Sequence, residues 1–194
     1  KSACGFHSGV QLVDDKPYTS CTEWNENVMD ELVELEPDFV LTSQRINVAL
    51  DQTTGDVSVD MMVDAMVTQW SVLLDMDIPL IVLLDNPNPG FAVYECIAEN
   101  EDNPQNCTFS REDGIANSGA VAQEEAVALL SDVHIVDLRP KICPDNQCVP
   151  IIGNVLLYRQ TSHLPDTYVR TLTGYLAPPL VEIVEQHNND SVTG

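Results

Sequence analysis

Residues 78–84, Ile-Pro-Leu-Ile-Val-Leu-Leu, form an unbroken apolar run of strand length, and no other part of the chain constrains the fold as strongly. A strand without polar residues has to be covered on both faces, as it is inside a parallel sheet. It follows residues 59–76, where Met62, Val63, Met66, Val67, Trp70 and Leu74 recur at helical spacing. Further buried strands are expected at 38–43 and 133–138. Helices are expected at 25–35, stopped by Pro37, at the alanine-rich 117–130, and at 164–186 with a break at Pro178-Pro179. Gly153-Asn154 between Val149-Pro-Ile-Ile152 and Val155-Leu-Leu-Tyr158 predicts a hairpin. Helices alternating with buried strands predict an α/β protein with a mostly parallel sheet.

The remaining segments are expected to be irregular: residues 1–22, a polar turn region at 51–58, and a long loop at 91–115 after Asp85-Asn-Pro-Asn-Pro-Gly90. Neither a composition shift nor a repeat divides the chain, so residues 1–187 are expected to form a single domain and 188–194 a disordered tail. Three strands are few for such a sheet. The expectation is that the domain lacks its first strand, so that the chain begins within the domain.

Eight Lys and Arg against 31 Asp and Glu give a formal charge of −23. That balance excludes nucleic acid as a partner, because phosphate binding needs a positive footprint. It also disfavours an anionic membrane surface. An acidic, cation-attracting surface is one further reading of the charge, although no regularly spaced calcium loop is present. No run approaches the roughly 20 apolar residues of a membrane-spanning helix.

The six cysteines fall into sequence-local pairs, Cys4 with Cys21, Cys96 with Cys107 and Cys143 with Cys148. Each pair flanks a polar, loop-like stretch, so these three disulfides are expected, and with them an oxidising compartment. The rival is a zinc site of Cys143 and Cys148 with His134 or His163, but the spacing is wider than the usual structural pattern and a second close pair is missing.

A set of short motifs in fixed order resembles a known family. They are Thr42 after Pro37-Asp-Phe-Val, the 85–89 stretch, Glu95-Cys96, Asn106-Cys107, Val136-Asp-Leu138, Cys143 with Cys148, Gly153-Asn-Val155, Tyr158-Arg159, and His163-Leu164 followed by Tyr168. Together they resemble the SGNH-type domain at the C-terminus of acyltransferase family 3 membrane proteins, over about residues 1–180. The resemblance implies a flavodoxin-like three-layer α/β/α sandwich. It implies an extracytoplasmic domain, tethered through a membrane acyltransferase domain of the same parent chain, that transfers an acyl group, acetyl above all, to a hydroxyl of a surface glycan. No cofactor is expected. Oligomeric state is left open.

The same resemblance implies that His163 is the catalytic base, a role suited to imidazole because its pKa lies near working pH. The position that would orient the base is Gln160, where the family pattern has Asp. A glutamine can hydrogen-bond an imidazole but cannot stabilise imidazolium with a full charge. The family's nucleophile segment, Gly-Asp-Ser-His, has no match, so no nucleophile is expected in this chain and the fragment alone is expected to be inactive. Ser162 adjoins His163, but sequence neighbours rarely share nucleophile–base geometry. Thr42, Ser43 and Gln44 occupy the region of the oxyanion-hole residue without a convincing match. Asp137 is expected to cap a helix, His7 and His134 to be structural, and Trp24 and Trp70 to pack in the core. Asn106-Cys-Thr and Asn189-Asp-Ser fit a glycosylation pattern. The alternative to an enzyme is a non-catalytic glycan-binding or scaffolding module of the same membrane protein.

Overall fold

The computed structural model describes residues 3–46 and 48–193, with side chains through 189. In chain order the elements are β1 (Leu12–Val13), β2 (Lys16–Pro17), α1 (Thr19–Leu35), β3 (Val40–Thr42), β4 (Ala49–Leu50), β5 (Val57–Ser58), α2 (Val59–Leu74) and β6 (Leu80–Leu83). There follow α3 (Val93–Glu99), a 3-10 turn (Pro104–Cys107), β7 (Phe109–Ser110), α4 (Arg111–Ala116), α5 (Ala120–Ala128) and β8 (Val133–Val136). Last come α6 (Arg139–Ile142), β9 (Gln147–Cys148), β10 (Ile151–Ile152), β11 (Val155–Leu156) and α7 (Asp166–Thr193). The chain divides into two compact units, Lys1–Asp85 with Ser118–Ile135, and Asn86–Asn117 with Val136–Gly194.

The first unit holds the parallel sheet, in the order β3-β6-β8. Val40, Leu41 and Thr42 pair in parallel with Leu80, Ile81 and Val82. The central strand β6 is buried along Leu80, Ile81 and Val82, as its all-apolar sequence requires. The flanking strands are not fully covered, since Leu41 and Ile135 are exposed. Helix α2 brings Met62, Met66, Trp70 and Leu73 to the core, where Ala120, Ala122 and Ala126 of α5 join them. Small residues let α5 approach closely, and Gly119 ahead of it is obligatory, because a Cβ there would lie 2.2 Å from the Gln44 carbonyl oxygen. Gln123 of α5 closes the end of β6. Its Nε2 donates to the Leu83 carbonyl and its Oε1 accepts the Asp85 N–H, at 3.1 and 2.8 Å.

Before α1, the region expected to be irregular contains the β1–β2 hairpin, turned by Asp14 and Asp15 in the left-handed conformation. Helix α1 starts at Thr19, six residues earlier than its apolar spacing indicated. Cys4–Cys21 ties the N-terminal segment to it. Trp70 is fully buried and donates its indole N–H to the Phe6 carbonyl at 3.0 Å, whereas Trp24 is only half-buried on α1.

The second unit combines short elements with the long helix α7. The stretch expected to be a long loop contains α3, the 3-10 turn, β7 and α4. Its helices have too few apolar positions to display a period. A start signal is nevertheless present in Ser110-Arg-Glu-Asp113, where the Ser110 hydroxyl accepts the Asp113 N–H. The expected hairpin forms between β10 and β11, with Gly153 and Asn154 both at positive φ, as a two-residue primed turn demands. Cys96–Cys107 joins α3 to the 3-10 turn, and Cys143–Cys148 joins α6 to β9. No free cysteine is found among the described residues. Helix α7 does not break at Pro178-Pro179, although each proline forgoes one helical N–H donor. The residues expected as a disordered tail are helical through Thr193, because no glycine or proline stops the helix before Gly194, which lies outside the described residues.

Candidate functional site

His163 stands in a short turn just before α7. Pro165 ends the turn, and its carbonyl accepts the Tyr168 and Val169 N–H groups as the helix begins. The turn is closed by the Arg159 N–H, which donates to the His163 carbonyl at 2.9 Å. Both His163 and Gln160 are exposed. Neither side chain hydrogen-bonds the other or any other described residue, and the imidazole is open to solvent. Ser162, between them, is buried.

What holds this turn is the loop that follows β6. Asn86 Nδ2 donates to the Ser162 carbonyl at 3.1 Å. The Tyr158 hydroxyl donates to the Pro87 carbonyl at 2.7 Å. Tyr158 is fully buried, edge-on to Phe109 at 5.8 Å between ring centroids, and Phe109 meets Phe91 edge-on in turn. The Asn88 N–H donates to the Gly114 carbonyl at 2.8 Å. A Cβ on Gly114 would stand 2.7 Å from the Phe109 ring and 3.0 Å from Pro87, so α4 reaches this loop only because residue 114 is glycine. The motif residues Asn86 and Tyr158 were visible in the sequence, but their contacts span 76 and 71 residues and leave no local signal.

Asp137, also in this unit, follows β8 and accepts the Arg139 backbone N–H at 2.9 Å, but it stands one residue ahead of the N-cap of α6, which is Leu138. Its two oxygens also take the Arg139 guanidinium, at 2.8 and 2.9 Å. Burial pushes its carboxyl up, but the Arg139 hydrogen bonds and charge, with a contribution from Arg111, outweigh it and hold the pKa below the usual value. Asn106 is exposed, and its amide bonds Asn100 and Asn103.

The first unit contains its own polar cluster. His7 is fully buried, with Nδ1 accepting the Gly9 N–H at 3.1 Å and Nε2 facing Gln11 Oε1 at 3.3 Å. Burial lowers its pKa, and the bonds to Gln11 and Gly9 oppose that only in part. Both ring nitrogens are thus engaged within the cluster. His7 lines a cavity of about 410 Å³ between α1 and α2, with Asn25, Glu26, Met29 and Gln69. Ser43 is exposed after β3, while Thr42 and Gln44 are buried. Gln44 Nε2 donates to the Ile46 carbonyl at 2.9 Å, and its buried Oε1 has no hydrogen-bond partner among the described residues. His134 is half-buried on β8. No group of three or more His, Cys, Asp or Glu side chains suited to a metal occurs among the described residues. The cysteines proposed as zinc ligands are bonded to each other.

The family model for the SGNH domain, described as fused to AT3 domains, matches residues 1–178. The chain belongs to this family. The periplasmic domain of a Salmonella ser. Paratyphi A lipopolysaccharide acetyltransferase has a similar solved structure, with a TM-score of 0.59 and 14% identity, over 91% of this chain and 68% of that one. At that identity the likeness speaks for the fold, and it agrees with the α/β body and parallel sheet of this SGNH domain. No curated protein matches the chain. Among the described residues no helix is long and apolar enough to cross a membrane.

Proposed function

We propose that this chain is the extracytoplasmic domain of a membrane O-acyltransferase and that His163 is its proton-transferring base. Residues 1–187 form the working body, tethered outside the membrane through the acyltransferase domain of the same parent protein. The group transferred is acyl, with acetyl favoured by the name of the Salmonella protein, and the acceptor is a hydroxyl of a cell-surface glycan. The observation that carries the reading is an exposed imidazole without a hydrogen-bond partner among the described residues, on a turn whose backbone is held on both sides. Three disulfides support an oxidising compartment.

In this role the imidazole takes the proton of an attacking hydroxyl and returns it to the leaving oxygen. Gln160 stands where the family pattern places the orienting carboxylate, and it leaves the imidazolium without a charged partner. The test is acetyl-ester cleavage by the acyltransferase that carries this domain. The proposal expects His163→Ala to lose about a hundredfold or more in rate. Equal rates for His163→Ala and the parent remove the base assignment.

One observation favours a second reading, a glycan-binding or scaffolding module without chemistry: Gln160 neither bonds His163 nor carries a charge. Under that reading His163→Ala weakens glycan retention on an affinity column and leaves ester cleavage unchanged.

A further inference from the structure

We infer that Asn86 is a positioning residue for His163, an inference that rests on the base role proposed above. The two peptide planes that flank the His163 Cα are each anchored through their oxygen. The plane between residues 162 and 163 is held by Asn86 Nδ2 on the Ser162 carbonyl, at 3.1 Å. The plane between residues 163 and 164 is held by the Arg159 N–H on the His163 carbonyl, at 2.9 Å. Fixing both planes fixes φ and ψ of residue 163 and so the direction of its Cα–Cβ bond. Only the two side-chain torsions remain for the imidazole to choose. An exposed base with no side-chain partner is thereby aimed through its backbone, in place of the carboxylate that Gln160 does not supply.

Asn86 can do this because its own loop does not yield. Pro87 receives the buried Tyr158 hydroxyl, and Asn88 bonds the Gly114 carbonyl. The amide reaches Ser162 from a frame fixed on two further sides. Of the two anchors, Asn86 is the one that a side-chain change can remove, since the Arg159 donor is backbone.

The experiment compares Asn86→Asp, Asn86→Ala and His163→Ala in the acyltransferase that carries this domain. It reads kcat, KM and the amide exchange of the 159–163 segment. Asp has the shape of Asn but turns an acceptor toward the Ser162 carbonyl, so a positioning role makes it the worse of the two changes. The inference expects kcat to fall roughly tenfold to a hundredfold in Asn86→Asp and less in Asn86→Ala, with KM nearly unchanged and faster exchange in the segment. A merely volume-filling Asn86 gives the opposite order, and that result overturns the inference. So does a wild-type kcat in Asn86→Asp while His163→Ala is inactive, which leaves the base assignment standing. Full activity in His163→Ala removes the base assignment itself, and the positioning role with it.

Discussion

The Tyr158 hydroxyl lies 2.7 Å from the Pro87 carbonyl, across 71 residues of sequence, and couples the hairpin end to the loop that carries Asn86. Tyr158→Phe keeps the ring packing on Phe109 and removes this donor. A buried carbonyl loses a strong partner, so a loss of about 1–2 kcal/mol in unfolding free energy is expected. Urea unfolding that gives the same midpoint for the two proteins contradicts the assignment.

Gln123 makes two bonds at the end of β6, donating to the Leu83 carbonyl and accepting the Asp85 N–H. Gln123→Leu keeps the volume and removes both of these half-buried bonds. The expected cost is about 1–3 kcal/mol, from roughly 0.5–1.5 kcal/mol for each of the two bonds lost. A melting temperature within a degree of the parent contradicts it. Gly119→Ala, with its Cβ set against the Gln44 carbonyl, is expected to express poorly or misfold.

Acid should weaken the fold in two separate windows. His7 has a folded pKa below its ordinary value of 6.5. The unfolded chain therefore binds a proton first, and stability falls as pH drops from about 6.5 toward the folded value. Asp137 is depressed below 3.8, so its contribution is present above that value and is lost as pH falls through its folded pKa. Urea midpoints measured from pH 7 to pH 5 test the first window. His7→Gln should flatten the slope there, and an unchanged slope in that variant contradicts the assignment.

Cys96–Cys107 closes a separation of 11 residues around α3 and the 3-10 turn. Replacing both cysteines by serine should cost about 2–3 kcal/mol by the loop-entropy argument. The non-reduced protein should show no thiol reactive toward a maleimide after unfolding, and a stoichiometric reaction contradicts the disulfides.

The sequence showed most clearly what depends on near neighbours. Residues 78–84 could be placed because an all-apolar strand has one stable environment, and Gly153-Asn154 because a two-residue turn needs two left-handed residues. Helices α3 and α4 were hidden because six or seven residues do not complete an apolar period. The helical end of α7 was hidden because polar residues read as frayed unless something local says otherwise. For the site, His163 emerged from motif order, not from its immediate surroundings. The setting that holds it did not emerge, because Asn86 and Tyr158 act across more than 70 residues. Gln44 stood with Thr42 and Ser43 in the region of the oxyanion-hole residue, and nothing in the sequence set apart its buried Oε1, which lacks a partner among the described residues.

The most direct measurement is the turnover of an acetyl ester by the acyltransferase that carries this domain, with His163 intact and with His163→Ala, both shown to be folded by their melting temperatures. The account predicts a loss of about a hundredfold or more in kcat with the fold retained. Equal turnover by the two folded proteins contradicts it.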